Sequence, residues 1–62
     1  MKTRDLIKIV ETDGWYLDRI KGNHHIYKHR AKPGTLSVPV HSMGKDVAIV
    51  IEKAILRQAG LG

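Results

Sequence analysis

No cysteine occurs among the 62 residues, which excludes a disulfide framework, a thiolate zinc site and a thiol nucleophile, and leaves stability to packing. The shortness of the chain excludes as much. It predicts a single small domain, residues 1–62, burying roughly 60% of its unfolded surface, with no room for separate cofactor and substrate domains. Long apolar runs are also missing: Val47-Ala48-Ile49-Val50-Ile51, the longest, is far short of the ~20 residues that span a bilayer, so no membrane association is expected. No signal-peptide pattern opens the chain and the lack of Cys suits a reducing compartment, so a soluble cytoplasmic protein is expected. Acidic side chains are scarce, six against eleven Lys or Arg, for a net charge of +5. The abundant cytoplasmic polyanion is nucleic acid, and the charge points to it as a partner.

What is present has an ordinary globular balance, 42% hydrophobic and 27% charged. Thr3 to Thr12 reads as a helix: Leu6, Ile9 and Val10 fall at i, i+3 and i+4, Ile7 widens the stripe, and Arg4, Lys8 and Glu11 face outward. Thr3 is the expected N-cap, Asp5 complements the helix dipole, and Asp13-Gly14 closes the helix. From Trp15 the period drops to two, with Trp15, Leu17 and Arg19 on one side of a strand and Tyr16, Asp18 and Ile20 on the other. Lys21-Gly22-Asn23 supplies a hairpin turn, leading into a second strand over His24 to Arg30. Pro33-Gly34 marks another turn, before a third strand over Thr35 to His41 in which Leu36, Val38 and Val40 share a face. Pro39 lacks a donor, which places it at an edge or a bulge. After Ser42-Met43-Gly44-Lys45, a final helix is expected, capped by Asp46, with Val47, Val50, Ile51, Ala54, Ile55 and Leu61 inward and a Schellman close at Gly60-Leu61. The fold class is therefore α+β, ordered α-β-β-β-α: a two-layer domain with a three-stranded antiparallel sheet and both helices on one face.

The most distinctive segment is Gly22-Asn23-His24-His25-Ile26-Tyr27-Lys28-His29. Alternation sends His24, Ile26, Lys28 and Arg30 to one side of the strand and His25, Tyr27 and His29 to the other. With Ile26 assigned to the core, His24 falls at the core edge, and His25 and His29 on the open face. General acid–base catalysis on RNA is one reading. Attack by a 2′-hydroxyl needs a base, an acid for the departing 5′-oxygen and cations for the phosphorane, and imidazole serves either proton role. His24 with Lys21, Lys28 or Arg30 is a minimal set. The pattern equally suits a His24 that only caps a turn or bonds at the core edge. Metal binding by His25, His29 and His41 is a further reading, opposed by a rise of roughly 13 Å between i and i+4 on a strand. Tyr27, His25 and His29 also suit a solvated face that stacks on RNA or meets a protein.

Asp13-Gly14-Trp15, the Gly22–His29 segment, Val38-Pro39-Val40-His41 and Ile55-Leu56-Arg57-Gln58-Ala59-Gly60-Leu61 together resemble the HicA toxins of HicA–HicB toxin–antitoxin pairs. The resemblance covers nearly the whole chain in order. It implies a double-stranded-RNA-binding-domain-like fold and an mRNA interferase that cleaves RNA without metal or cofactor, arrests translation, and is neutralised by a HicB-like antitoxin covering its active site. The family's essential His follows a Gly-Ser pair, and this position matches His24, with Gly22 as the Gly. Asn23 stands in place of Ser. Some members carry a single His after an Asn, and a register displaced by one makes His25 the alternative. Val47-Ala48-Ile49-Val50-Ile51 replaces a stretch that in many members holds a Gly and basic residues, which leaves Ile49 exposed for a dimer or an antitoxin contact.

The expectation is an endoribonuclease toxin with His24 as general acid or base and Lys21, Gly22, Asn23, Lys28, Arg30 and Lys32 as RNA contacts. His29, His41 and Tyr27 are the candidates for a supporting role. The alternative is a non-catalytic RNA-binding module of the same fold.

Overall fold

The computed structural model describes all 62 residues, Met1–Gly62. Two helices and three strands follow in the expected order: α1 (Thr3–Thr12), β1 (Tyr16–Lys21), β2 (His24–Lys28), β3 (Thr35–Pro39) and α2 (Ile49–Gln58). The strands form one antiparallel sheet in the order β1-β2-β3. Leu6, Ile7 and Val10 of α1, Ile55 of α2 and the following Ala59 pack with Trp15, Tyr27, Leu36 and Val38 in one core, so both helices lie on the same face. Full burial of each large apolar side chain in such a core is worth about 1.5–3 kcal/mol. This is the double-stranded-RNA-binding-domain-like arrangement.

Both helices end in Schellman motifs. Gly14 N–H bonds to Glu11 O and Trp15 N–H to Val10 O; Gly60 N–H bonds to Arg57 O and Leu61 N–H to Leu56 O. Their starts differ from the expected caps. Lys2, not Thr3, occupies the N-cap of α1, and the buried Thr3 hydroxyl donates to Lys45 O at 3.0 Å. Asp46 does not cap α2: it pairs with Lys2 in an isolated bridge, Val47 N–H bonds to Met1 O, and the helix begins three residues later with Ala48 at its N-cap. That delay rotates the apolar stripe. Ile55 and Ala59 are buried and Val47 and Leu56 partly so, but Val50 is 77% exposed, Ile49 64%, and Ile51, Ala54 and Leu61 are exposed as well. Ile9 of α1 is likewise outside the core, at 39% exposure.

The sheet corrects the expected parity. Tyr27 pairs with Leu36 and His25 with Val38, so these residues share the helix-covered face, whereas Ile26 pairs with Ser37 and Arg19 on the open face. Ile26 is still shielded but stands outside the main core cluster. The larger Tyr27, 2% exposed, takes the position under the helices. On β1 an extra residue, Asp18, sits in a bulge between Leu17, paired with Tyr27, and Arg19, paired with Ile26, which breaks the strict alternation expected there. β2 and β3 stop at Lys28 and Pro39, short of Arg30 and His41. β3 is an edge strand, and because Val40 N–H bonds inward to Asn23 O, the donorless nitrogen of Pro39 faces the free edge.

Candidate active site

The open face of the sheet is a ladder of three rows. Lys21, His24 and Pro39 form the row at the hairpin end; Arg19, Ile26 and Ser37 the middle; Tyr16, Lys28 and Thr35 the far end. Of the six acidic residues only Asp18 lies in the sheet, where its carboxylate pairs with Arg19 at 2.6 Å. The face is therefore cationic at its two ends, through Lys21 and Lys28, while Arg19 between them is ion-paired.

His24 opens β2 immediately after a two-residue turn. Gly22 has φ +59° and Asn23 does not have positive φ, the pattern of a type II′ hairpin, so a side chain at Gly22 would strain the backbone that presents the histidine. His24 is exposed, and its ring takes part in none of the side-chain hydrogen bonds that engage His29 and His41. It thus sits on the open face and not at the core edge. His25 turns to the opposite face, partly buried, with its ring centroid 6.5 Å from that of Tyr27.

Beside His24 the structure brings a second imidazole. Asn23 Nδ2 lies 3.1 Å from His41 Nδ1, so the amide donates to an unprotonated Nδ1 and leaves Nε2 as the N–H of neutral His41. Asn23 O also accepts from Val40 N–H. The turn before His24 and the segment after β3 are thus fastened together, with Lys21 in the same row as His24.

His29 and Lys32 have different work. Ala31 and Lys32 N–H both donate to His29 Nδ1, at 3.0 and 3.2 Å, so the proton lies on Nε2, which donates to Asp13 O at 2.7 Å. Its ring packs edge-on against Trp15, with centroids 5.2 Å apart. Lys32 Nζ donates to Asp13 Oδ2 at 2.5 Å and to Ala59 O at 3.0 Å, and Trp15 Nε1 donates to the same carbonyl. The Lys32 hydrogen bond holds the Asp13 carboxyl below its ordinary range, against a smaller opposing effect of desolvation. These residues clamp the C-terminal ends of both helices to the loop after β2. Lys32 is therefore a structural cation and not a free phosphate contact, and His29 has no ring nitrogen left for catalysis or metal. Tyr27 is in the core. With His29 engaged and no three His, Asp or Glu side chains converging, the His25–His29–His41 metal arrangement is not formed.

Lys28 and Arg30 lie at the far end of the face. Lys28 lies four positions beyond His24, roughly 13 Å along the strand, so they do not gather around the histidine as expected. The Asn23–His41 contact was missed for lack of a register. Once Pro39 is paired with His24, parity alone carries His41 to the same side.

The family model described as HicA toxin of bacterial toxin-antitoxin matches residues 3–61, nearly the whole chain. The chain belongs to the HicA toxin family. No curated protein matches it. Membership makes this protein the toxin of a toxin–antitoxin system, with an antitoxin as its partner. No helix of this HicA toxin is long and apolar enough to cross a membrane.

Proposed function

We propose that this HicA toxin is a metal-independent endoribonuclease that cleaves mRNA at His24 and so arrests translation in the cytoplasm. One observation carries the proposal: an exposed, unbonded imidazole on a glycine turn ends a cationic sheet face, with a second imidazole tied to the adjoining Asn23. In the reaction a base takes the proton from a ribose 2′-hydroxyl as its oxygen attacks phosphorus. The P–O5′ bond breaks, and an acid returns a proton to the 5′-oxygen, leaving a 2′,3′-cyclic phosphate and a 5′-hydroxyl. His24 fills one of these two roles; His41, whose Nδ1 is taken by Asn23, offers its Nε2–H as a hydrogen-bond donor to the phosphorane, whose charge Lys21, in the row of His24, also stabilises. Gly22 and Asn23 admit the phosphate to the turn, and Lys28 and Arg30 hold the strand farther along.

The antitoxin we infer is a HicB-like protein that covers this face. The net charge of +5 suits an acidic counterpart, and Ile49, Val50 and Ile51 supply an exposed apolar patch. Expression in cells tests the site. His24→Ala should abolish growth arrest and His25→Ala, on the opposite face, should retain it; the reverse outcome transfers the role to His25. A non-catalytic RNA-binding module would share the cationic face but leave RNA intact.

A further inference from the structure

We propose that the far end of the open face, formed by Tyr16, Lys28 and Arg30, is a second subsite for single-stranded RNA, where one base stacks on Tyr16 and the two cations hold the adjacent phosphates. The inference rests on the reading of His24 as the cleavage position and adds to it the substrate's strandedness and path. Tyr16 is the only tyrosine or tryptophan on the open face; Trp15 and Tyr27 are buried in the core. It is 45% exposed on an edge strand, and its row partner Lys28 is exposed beside it. A shallow depression of about 630 Å³ lies here, lined by Tyr16, Lys28, Arg30, Gly34 and Thr35.

The wall of that depression is an ordered loop. The His29 and Lys32 clamp fastens the segment that carries Arg30, so the guanidinium is presented from a fixed backbone while the clamp's own polar groups are satisfied internally. An aromatic ring flanked by cations on an open sheet is the arrangement that binds unpaired bases, because every base has a stacking face and every linkage a phosphate. A duplex keeps its bases stacked within itself and offers Tyr16 none. The spacing also fits one continuous strand. Lys28 lies roughly 13 Å from His24, and the face between them carries Arg19 and no unpaired acid, a span that a few extended nucleotides bridge.

The test uses 2′-O-methyl oligonucleotides, which lack the attacking hydroxyl and stay intact whichever residue cleaves. Binding of a dinucleotide and an octanucleotide is measured by fluorescence titration for the wild-type chain, Tyr16→Ala, Tyr16→Phe and Lys28→Gln. Tyr16→Ala should weaken the octanucleotide roughly tenfold or more and leave the dinucleotide unchanged, while Tyr16→Phe keeps wild-type affinity. A general folding defect would weaken both ligands, and Lys28→Gln, which leaves Tyr16 in place, should then still show selective loss on the octanucleotide. Equal octanucleotide affinity for Tyr16→Ala and Tyr16→Phe overturns the subsite, as does equal loss with a matched duplex, and either result would leave this end of the face to a protein partner. Cleavage of an ordinary diribonucleotide by wild-type and His24→Ala chains is read separately. Cleavage that persists in His24→Ala defeats the catalytic reading without touching the binding result.

Discussion

Asn23 Nδ2 lies 3.1 Å from His41 Nδ1, which joins the hairpin turn that presents His24 to the segment after β3, eighteen residues later. Asn23→Ala removes that donor and frees His41. Because the pair is exposed, stability should change by only about 0.5 kcal/mol, whereas RNA cleavage should fall about tenfold or more. Urea unfolding and a cleavage assay, run together, separate the two effects.

Gly14→Ala should be among the most destabilising single-methyl changes in the chain. The residue has φ +110°, and a Cβ there would meet His29 Nε2 at 2.7 Å, where the ring donates to Asp13 O. Backbone strain alone is worth about 1–3 kcal/mol. The loss appears in urea midpoints.

His29→Ala should act through stability and not through catalysis. It removes the acceptor for two backbone N–H groups and the donor to Asp13 O, and unsatisfied groups of this kind cost about 1–3 kcal/mol each when shielded from water. At a temperature where the variant is folded, cleavage per folded molecule should equal that of the wild type. A loss in that ratio would instead place His29 in the reaction.

Much of this domain is legible in its residues. All four positive-φ positions are glycines at turns or helix ends, Gly14, Gly22, Gly34 and Gly60, and they mark the element boundaries that hydrophobic period alone leaves vague. The face of β2 is not legible in the same way. Ile26 and Tyr27 are adjacent and both apolar, so period two accepts either as the core residue, and the choice falls to packing under α1 and α2. The Asp18 bulge hides the register of β1, and the apolar run from Val47 to Ile51 imitates a buried stripe although α2 begins too late to bury it. Lys32 looks like any exposed basic residue until Asp13 and Ala59 are placed beside it.

That late start gives a contrast within one helix. Ile55→Ala should cost about 2–5 kcal/mol, because its side chain is in the core, whereas Val50→Lys, on a residue 77% exposed, should leave stability within about 0.5 kcal/mol. Thermal unfolding of the two variants measures the difference. Val50→Lys should also weaken the antitoxin complex, read by titration calorimetry.

Acid should loosen the clamp. The Lys32 hydrogen bond lowers the Asp13 carboxyl in the folded chain relative to the unfolded one, so the unfolded state binds more protons in the acid range. This stabilisation is complete above the unfolded-state pKa, about 4, and is lost as pH falls through that value and then through the folded one. Urea unfolding between neutral pH and about pH 3 should show the loss, and Asp13→Asn should flatten that part of the profile from a lower starting stability.

The most direct test is incubation of the purified chain with single-stranded RNA in EDTA, followed by analysis of the product ends. The account predicts cleavage to 2′,3′-cyclic phosphate and 5′-hydroxyl ends by the wild type, and intact RNA with a folded His24→Ala variant. Cleavage that survives His24→Ala, or binding by the wild type with no cleavage at all, would contradict it.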